Sequence, residues 1–443
     1  MIKKGFTQSK IAIFWFRRDL RLEDNAGLFH ALQSGYPVLP LFIFDRNILD
    51  GLPSDDLRVQ FIHQTLSSLQ RQLQNSGSSL RVEVGHPLEV WQKLMGECRI
   101  AQVFANQDYE PYGRQRDAEV GKLLQSAGIP FYTFQDHVIF SPEDIRKKDQ
   151  TPYTVFTPYK NRWLKEFSLE KTKAYPSERY LNRLLKWPAP ELPALKALGF
   201  RETPFSYPPP VLREELIRDY HRNRDFPARN GTSRIGLHLR FGTLSIRRAV
   251  DAAFHWNETW LSELIWREFF MMLLYHFPQT VQQPFREKYR GFQWHGDEKA
   301  FQRWCEGKTG YPLVDAGMRE LNATGYMHNR VRMLTANFLT RLLLIDWRWG
   351  EAYFAQKLLD YEQASNVGNW QWCAGCGADA VPYFRIFNPD TQLNKFDPDL
   401  RYVKKWVPEY GTPDYPMPIV DYRMARQRAL HVYRTFLGKG NFD

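Results

Sequence analysis

Ile11-Ala12-Ile13-Phe14-Trp15-Phe16, Asp24-Asn25-Ala26-Gly27-Leu28-Phe29-His30-Ala31-Leu32 and Val38-Leu39-Pro40-Leu41-Phe42-Ile43-Phe44 decide the fold of the amino-terminal part. The outer two are apolar runs of strand length, and the middle one opens on a capping signal and continues with helical spacing. The alternation goes on with a helical segment at 56–74, a strand at 80–84, a helix at 88–95 and a strand at 102–105. Strands alternating with helices predict a parallel sheet covered on both faces. Ligands of such sheets sit beyond the carboxyl ends of the strands. Those ends lead into Arg17-Arg18-Asp19, Asp45-Arg46 and Asn106-Gln107-Asp108-Tyr109-Glu110, each of which, taken singly, reads first as a solvated loop.

From about residue 133 to 210 the periodicity fades and proline recurs, ending in Pro208-Pro209-Pro210, the mark of a long, partly extended connection. Beyond it the pattern is helical at 214–224, 244–256, 260–277, 299–306, 312–323, 329–344 and 349–359. The expected class is α/β plus all-α: a doubly wound parallel-sheet domain over 1–132, a linker over 133–210 and a helical domain over 211–443. The length of 443 residues agrees with two cores rather than one.

Composition narrows the function classes. Hydrophobic residues at 43% and charged residues at 25% describe a globular chain, not a disordered one. Sixty Lys+Arg against 49 Asp+Glu give a net charge of +11, which suits a polyanionic partner without proving one. The 14 Trp, 22 Tyr and 31 Phe could stack planar ligands or simply fill an aromatic core. Four scattered cysteines do not make a disulfide framework. No signal peptide or apolar run of membrane-spanning length is present, so a cytoplasmic location is expected.

In the helical half, Trp260, Glu263, Trp266 and Arg267 fall at three- and four-residue spacing and share one helix face. Two indoles, a carboxylate and a guanidinium suit a planar polar ligand; a Glu263–Arg267 pair flanked by half-buried indoles is the plainer alternative. Asn329, Arg332 and Met333 share a second face, and Asp360 is expected to end the helix before Ser365-Asn366-Val367-Gly368-Asn369-Trp370-Gln371-Trp372. Asn230-Gly231-Thr232-Ser233-Arg234 offers hydroxyls and backbone amides ahead of a helix, a candidate phosphate cradle.

These segments, with Asp225 to Arg234, Glu306-Gly307-Lys308-Thr309-Gly310-Tyr311-Pro312, Met327 to Met333, Tyr383 to Pro389 and Trp15 to Asn25, resemble the photolyase/cryptochrome family over almost the whole chain. The likeness is nearest to the class I photolyases that act on cyclobutane pyrimidine dimers. It implies FAD in a helical FAD-binding domain, active in its reduced anionic form, and light-driven electron transfer that splits dimers in UV-damaged DNA. The resemblance assigns Tyr220, Thr232, Ser233, Arg234, Ile235 and Gly236 to the FAD phosphates and ribityl chain; Gly236 stands where the family usually has Ser. It places Trp260, Arg267, Arg332, Asp360 and Glu362 around the flavin, Glu362 standing where Asp is common. Asn366 would face the reactive ring nitrogen, and an amide there, unlike the Asp of plant cryptochromes, favours repair.

By the same resemblance Trp266 and Trp372 clamp a flipped dimer, and Met333 contacts it where enzymes repairing the (6-4) lesion carry a histidine in the region. Glu263 and Asn329 would hydrogen-bond the dimer, and Arg224, Arg330 and Gln392 would hold the DNA. Trp370, Trp347 and Trp294 match the family's electron relay. Cys373 and Cys376 read as packing rather than a metal site, and no metal is expected. The Asn-Glu pair of folate-binding members is missing at 109–117, which argues against folate as a second, light-harvesting chromophore and leaves a deazaflavin, a flavin or an empty site. The rival readings are a cryptochrome-type blue-light receptor, a (6-4) photolyase and a flavin-free DNA-binding module. The chain stops at Asp443 without the long tail common in receptors. A monomer, nucleoid-associated in a bacterium and without membrane attachment, is expected.

Overall fold

Strand β1 (Ile11–Phe16) is buried at every position, as a central strand covered on both faces requires. The computed structural model describes residues 9–188 and 191–438, and in it β1 is the middle of a five-stranded sheet. With β2 (Val38–Asp45), β3 (Arg81–Gly85), β4 (Ile100–Asn106) and β5 (Phe131–Phe134) the order is β3-β2-β1-β4-β5, every pair parallel. Helices α1 (Ala26–Leu32), α2 (Leu57–Asn75), α3 (Pro87–Glu97) and α4 (Pro111–Ser126) alternate with the strands, which is the expected doubly wound class. Asn25 caps α1 by accepting from the Leu28 amide, so the capping signal does what it predicts. Trp15 meets Trp91 edge-on at 5.5 Å between sheet and α3, fixing one face of the core.

The chain divides into two compact units, and the boundaries differ from the expected ones. The first comprises Met1–Asp144, Glu166–Leu212 and Arg234–His255; the second comprises Ile145–Lys165, Arg213–Ser233 and Trp256–Asp443. Residues 234–255 join the sheet unit because Arg247 meets Asp24 at 2.8 Å and Asp136 at 2.8 Å, both in that unit. The stretch 133–210 is not one connection. Its helix α5 (Phe156–Glu166) buries Phe156, Tyr159 and Trp163, and Trp163 donates to Glu268 at 2.6 Å within the second unit.

The second unit is helical: α6 (Glu258–His276), α7 (Pro312–Thr324), α8 (Asn329–Asn337), α9 (Trp347–Lys357), α10 (Gln363–Ala374) and α11 (Tyr422–Gly438) surround one core that includes Trp304, Trp347 and Trp370. Three local expectations need correction. Segment 214–224 is broken at Asp219 into two short helices. Helix α8 ends at Asn337 and passes into a wider π-turn, Phe338–Leu342. Asp360 lies beyond the end of α9, not on it.

Candidate functional site

Helix α6 starts on Asn257, whose side chain accepts from the Trp260 amide at 3.0 Å. That start sets Trp260 inward and buried, with Glu263, Trp266 and Arg267 half-buried. Glu263 and Arg267 do not pair with each other. Arg224 donates to Glu263, and Arg267 donates to Glu362 across 3.0 Å. Burial raises the Glu263 carboxyl above its ordinary range against the pull of Arg224. Trp266 lies flat against Phe156, ring centroids 3.6 Å apart at 8°, so one indole face is already covered.

Helices α6, α9 and α10 approach closely, and two glycines permit it. A Cβ on Gly368 would come 2.2 Å from Phe270, and one on Gly350 would come 2.1 Å from Trp370. The closeness of α9 and α10 brings Glu351 to Asn366: the Asn366 amide nitrogen donates to the Glu351 carbonyl at 3.1 Å and to its Oε1 at 2.9 Å. The Asn366 oxygen is its unspent acceptor. From α8, Arg332 donates to both oxygens of Asp360, at 3.1 and 2.9 Å, and to the Met327 carbonyl at 2.7 Å. A fork engaged this way is held in one orientation.

Two cavities result. A small one of about 90 Å³ is lined by Arg332, Asp360, Glu362, Asn366 and Trp370. A larger one of about 350 Å³ is lined by Tyr220, Arg224, Glu263, Trp266, Arg267 and Trp372. Asn329, Met333, Ser365 and Asn369 border both. Most residues assigned above to flavin or dimer therefore stand around these two adjoining spaces. The donor set also fits a flavin: a fixed guanidinium–carboxylate pair, an amide with a free oxygen, and indole rings.

Other assigned residues lie elsewhere. Thr232 bonds Tyr326 at 3.1 Å, and Ser233 follows it at the end of a segment of the second unit. Arg234, in left-handed backbone at φ 53°, with Ile235 and Gly236, opens a segment of the first unit. Arg330 pairs with Asp225 at 2.5 Å. Gln392 is half-buried and lines neither cavity. Trp347 and Trp370 are buried in one core, with Trp294 packed against it. Cys373 and Cys376 are buried, and burial pushes both thiols up to about 12. Phe156, Glu351 and Asp225 were missed. Glu351 had a signal, since it stands four residues after Trp347 on a helix; Phe156 lay hidden in the proline-rich stretch.

The sheet's carboxyl edge contrasts with these cavities. Arg18 meets Asp108 at 3.0 Å and Glu110 at 3.3 Å, Arg17 meets Asp117, and Asn106 donates to Asp19 at 2.6 Å. The loops after β1 and β4 are largely enclosed in an internal ion-pair network, whereas Asn47 and Ile48 after β2 are exposed. The first unit does hold a cavity of about 1210 Å³, bordered by Arg21, Phe61, Tyr207, His238 and Arg248.

Known proteins resemble this chain along nearly its whole length. The family model described as the FAD binding domain of DNA photolyase matches residues 260–413, and the one described as DNA photolyase matches 12–177. A deoxyribodipyrimidine photo-lyase of Vibrio cholerae is 38% identical over 96% of this chain and 100% of its own length. A class III photolyase from Agrobacterium tumefaciens has a crystal structure similar at a TM-score of 0.85 and 33% identity, over 98% of this chain and 99% of that one. An archaeal photolyase from Sulfolobus tokodaii, crystallised with two FAD molecules, is similar at 0.80 and 34% identity, over 96% of this chain and 99% of that one.

Proposed function

We infer, from the membership of this chain in the DNA photolyase family, that it is a light-driven lyase that splits cyclobutane pyrimidine dimers in UV-damaged DNA with FAD as cofactor. The observation that carries the reading is the shared wall of Asn329, Met333, Ser365 and Asn369, which sets the Arg332–Asp360 pair and Asn366 beside Glu263, Trp266 and Trp372. Reduced FAD, when bound, supplies the electron that opens the dimer and takes it back afterwards.

The chain's own residues do the rest. Arg332, oriented by Asp360, places a cation where a reduced anionic ring would lie. Glu351 fixes the Asn366 amide so that its oxygen can accept from a ring N–H. Trp266, stacked on Phe156 and Phe270 but bordering the larger cavity, and Trp372 would clamp the flipped dimer; flipping costs a few kcal/mol, less at a damaged pair. Glu263, its carboxyl raised by burial and held by Arg224, would hydrogen-bond one thymine edge of the dimer, and Asn329 the neighbouring edge. Arg224, Arg330 and Gln392 contact the strand around the lesion. Tyr220, Thr232, Ser233, Arg234, Ile235 and Gly236 would hold the FAD phosphates and ribityl chain, with Trp260, Arg267 and Glu362 nearer its rings. Met333 rather than histidine favours the cyclobutane dimer over the (6-4) lesion. A second chromophore belongs to the sheet unit, whose cavity of about 1210 Å³ exceeds the size of an ordinary cofactor pocket. No helix among the described residues is long and apolar enough to cross a membrane; we place the protein in the cytoplasm, on the nucleoid in a bacterium, as a monomer.

The test is loss of dimers from an oligonucleotide under blue light with a dark control. Light-dependent loss is expected. Dimers persisting beside a yellow, photoreducible protein would assign it to signalling instead.

A further inference from the structure

On the second unit, away from both cavities described above, a groove of about 700 Å³ is walled by Arg286, Lys288, Tyr289, Tyr383, Arg434 and Phe436. No carboxylate is among its described lining residues. Glu287, in the same turn, is engaged with Arg290 at 3.2 Å. Three cations and three aromatic rings around one groove have the chemistry for a planar ligand bearing phosphates.

The groove also has an aromatic connection inward. Phe436 on its wall meets Phe292 at 5.1 Å, and Phe292 meets Trp294 at 4.6 Å. A second path runs from Tyr383 to Tyr433 at 6.1 Å and from Tyr433 to Phe292 at 4.6 Å. The buried Arg341 guanidinium stands 4.5 Å from the Tyr433 ring and opposes loss of an electron there. A vacancy therefore rests on Trp294, one ring away from the groove.

We propose that this groove binds a reduced nicotinamide dinucleotide phosphate, which refills Trp294 during light-driven activation of the enzyme. The proposal rests on the reading of Trp370, Trp347 and Trp294 as an electron relay. Each light event that draws an electron inward leaves Trp294 one electron short, and the ligand returns one electron to it. After two events the ligand has given two electrons and one proton and leaves as the oxidised nicotinamide cation. The inward pair of electrons and one proton account for one reduced anionic flavin.

The experiment titrates the full-length protein with NADPH in the dark, following nicotinamide fluorescence. Saturable binding is expected, weakened about tenfold in the double variant Lys288→Glu/Arg434→Glu and weakened by salt. Photoreduction with NADPH should slow by about the same factor in that variant. With uncharged dithiothreitol as reductant, and in repair by chemically pre-reduced enzyme, the variant should match the parent. Absent binding, or equal binding by the double variant, overturns the proposal. Trp294→Phe should bind NADPH normally and lose photoreduction. If it keeps photoreduction, delivery through Trp294 is wrong while dimer repair by pre-reduced enzyme still stands or falls separately.

Discussion

The carboxyl edge of the sheet and the twin cavities of the helical unit are equally rich in charged side chains, yet they use them in opposite ways. At the sheet edge Arg18, Asp108, Glu110, Asn106 and Asp19 engage one another inside their own unit. Burial alone would raise Asp108, but Arg18, Arg116 and Arg17 hold it far below the usual carboxylate range. In the helical unit the pairing stops short. Asn366 keeps an oxygen, while Trp266, Asn329, Met333 and Trp372 border open space. Polar density therefore does not mark a binding surface; hydrogen-bonding capacity left over after folding does.

The contrast can be attacked first where it is structural. Asp136→Asn removes the shared partner of Arg21 (2.7 Å) and Arg247 (2.8 Å), and a broken buried pair should cost about 3–5 kcal/mol in denaturant unfolding at neutral pH. Burial would raise Asp136, but the two arginines depress it far below its ordinary value. Its contribution is thus complete above the unfolded value, about pH 4, and is lost as pH falls through the folded one, so variant and parent should converge in acid. A deficit independent of pH would show that charge pairing does not seal this edge.

Glu263→Ala should leave flavin absorbance intact and lower repair about 10- to 100-fold, the worth of a hydrogen bond to a charged group. Undiminished repair would return Glu263 to the class of internally consumed charges. Phe156→Leu tests the covered face of Trp266: dimer binding should weaken about two- to tenfold with the flavin spectrum unchanged. Unchanged binding would mean the stack is packing only. The smallest effect is expected at Cys373→Ala and Cys376→Ala, about 1 kcal/mol of stability each and no change in repair. Their thiols, pushed up to about 12, should also resist alkylation in the native protein.

Much of this was legible in the sequence. The sheet followed from apolar runs, since a strand buried on both faces can hardly look otherwise, and only the half-exposed β5 escaped. The facing of Trp266 and Arg267 followed from helical spacing, but their partners did not. Arg224 lies 39 residues from Glu263, and Glu362 lies 95 from Arg267; no periodic signal reaches that far. The π-turn after α8 was invisible because Phe338–Leu342 is buried throughout, Thr340 and Arg341 included, so no polar face marks the change of pitch. Helix α5 had its signal in Phe156, Tyr159 and Trp163, masked by neighbouring prolines.

The interleaving of the two units has a bearing on synthesis. The sheet unit takes its last segment from Arg234–His255, which brings Arg247 to Asp24 and Asp136. A nascent chain that has left the ribosome as far as Asp136, just past β5, has its strands but holds that carboxylate without Arg247. The amino-terminal unit is complete in sequence only once residue 255 has emerged, by which time Ile145–Lys165 and Arg213–Ser233 of its companion have already been made. A chaperone that shields apolar segments has its natural point of action in that interval.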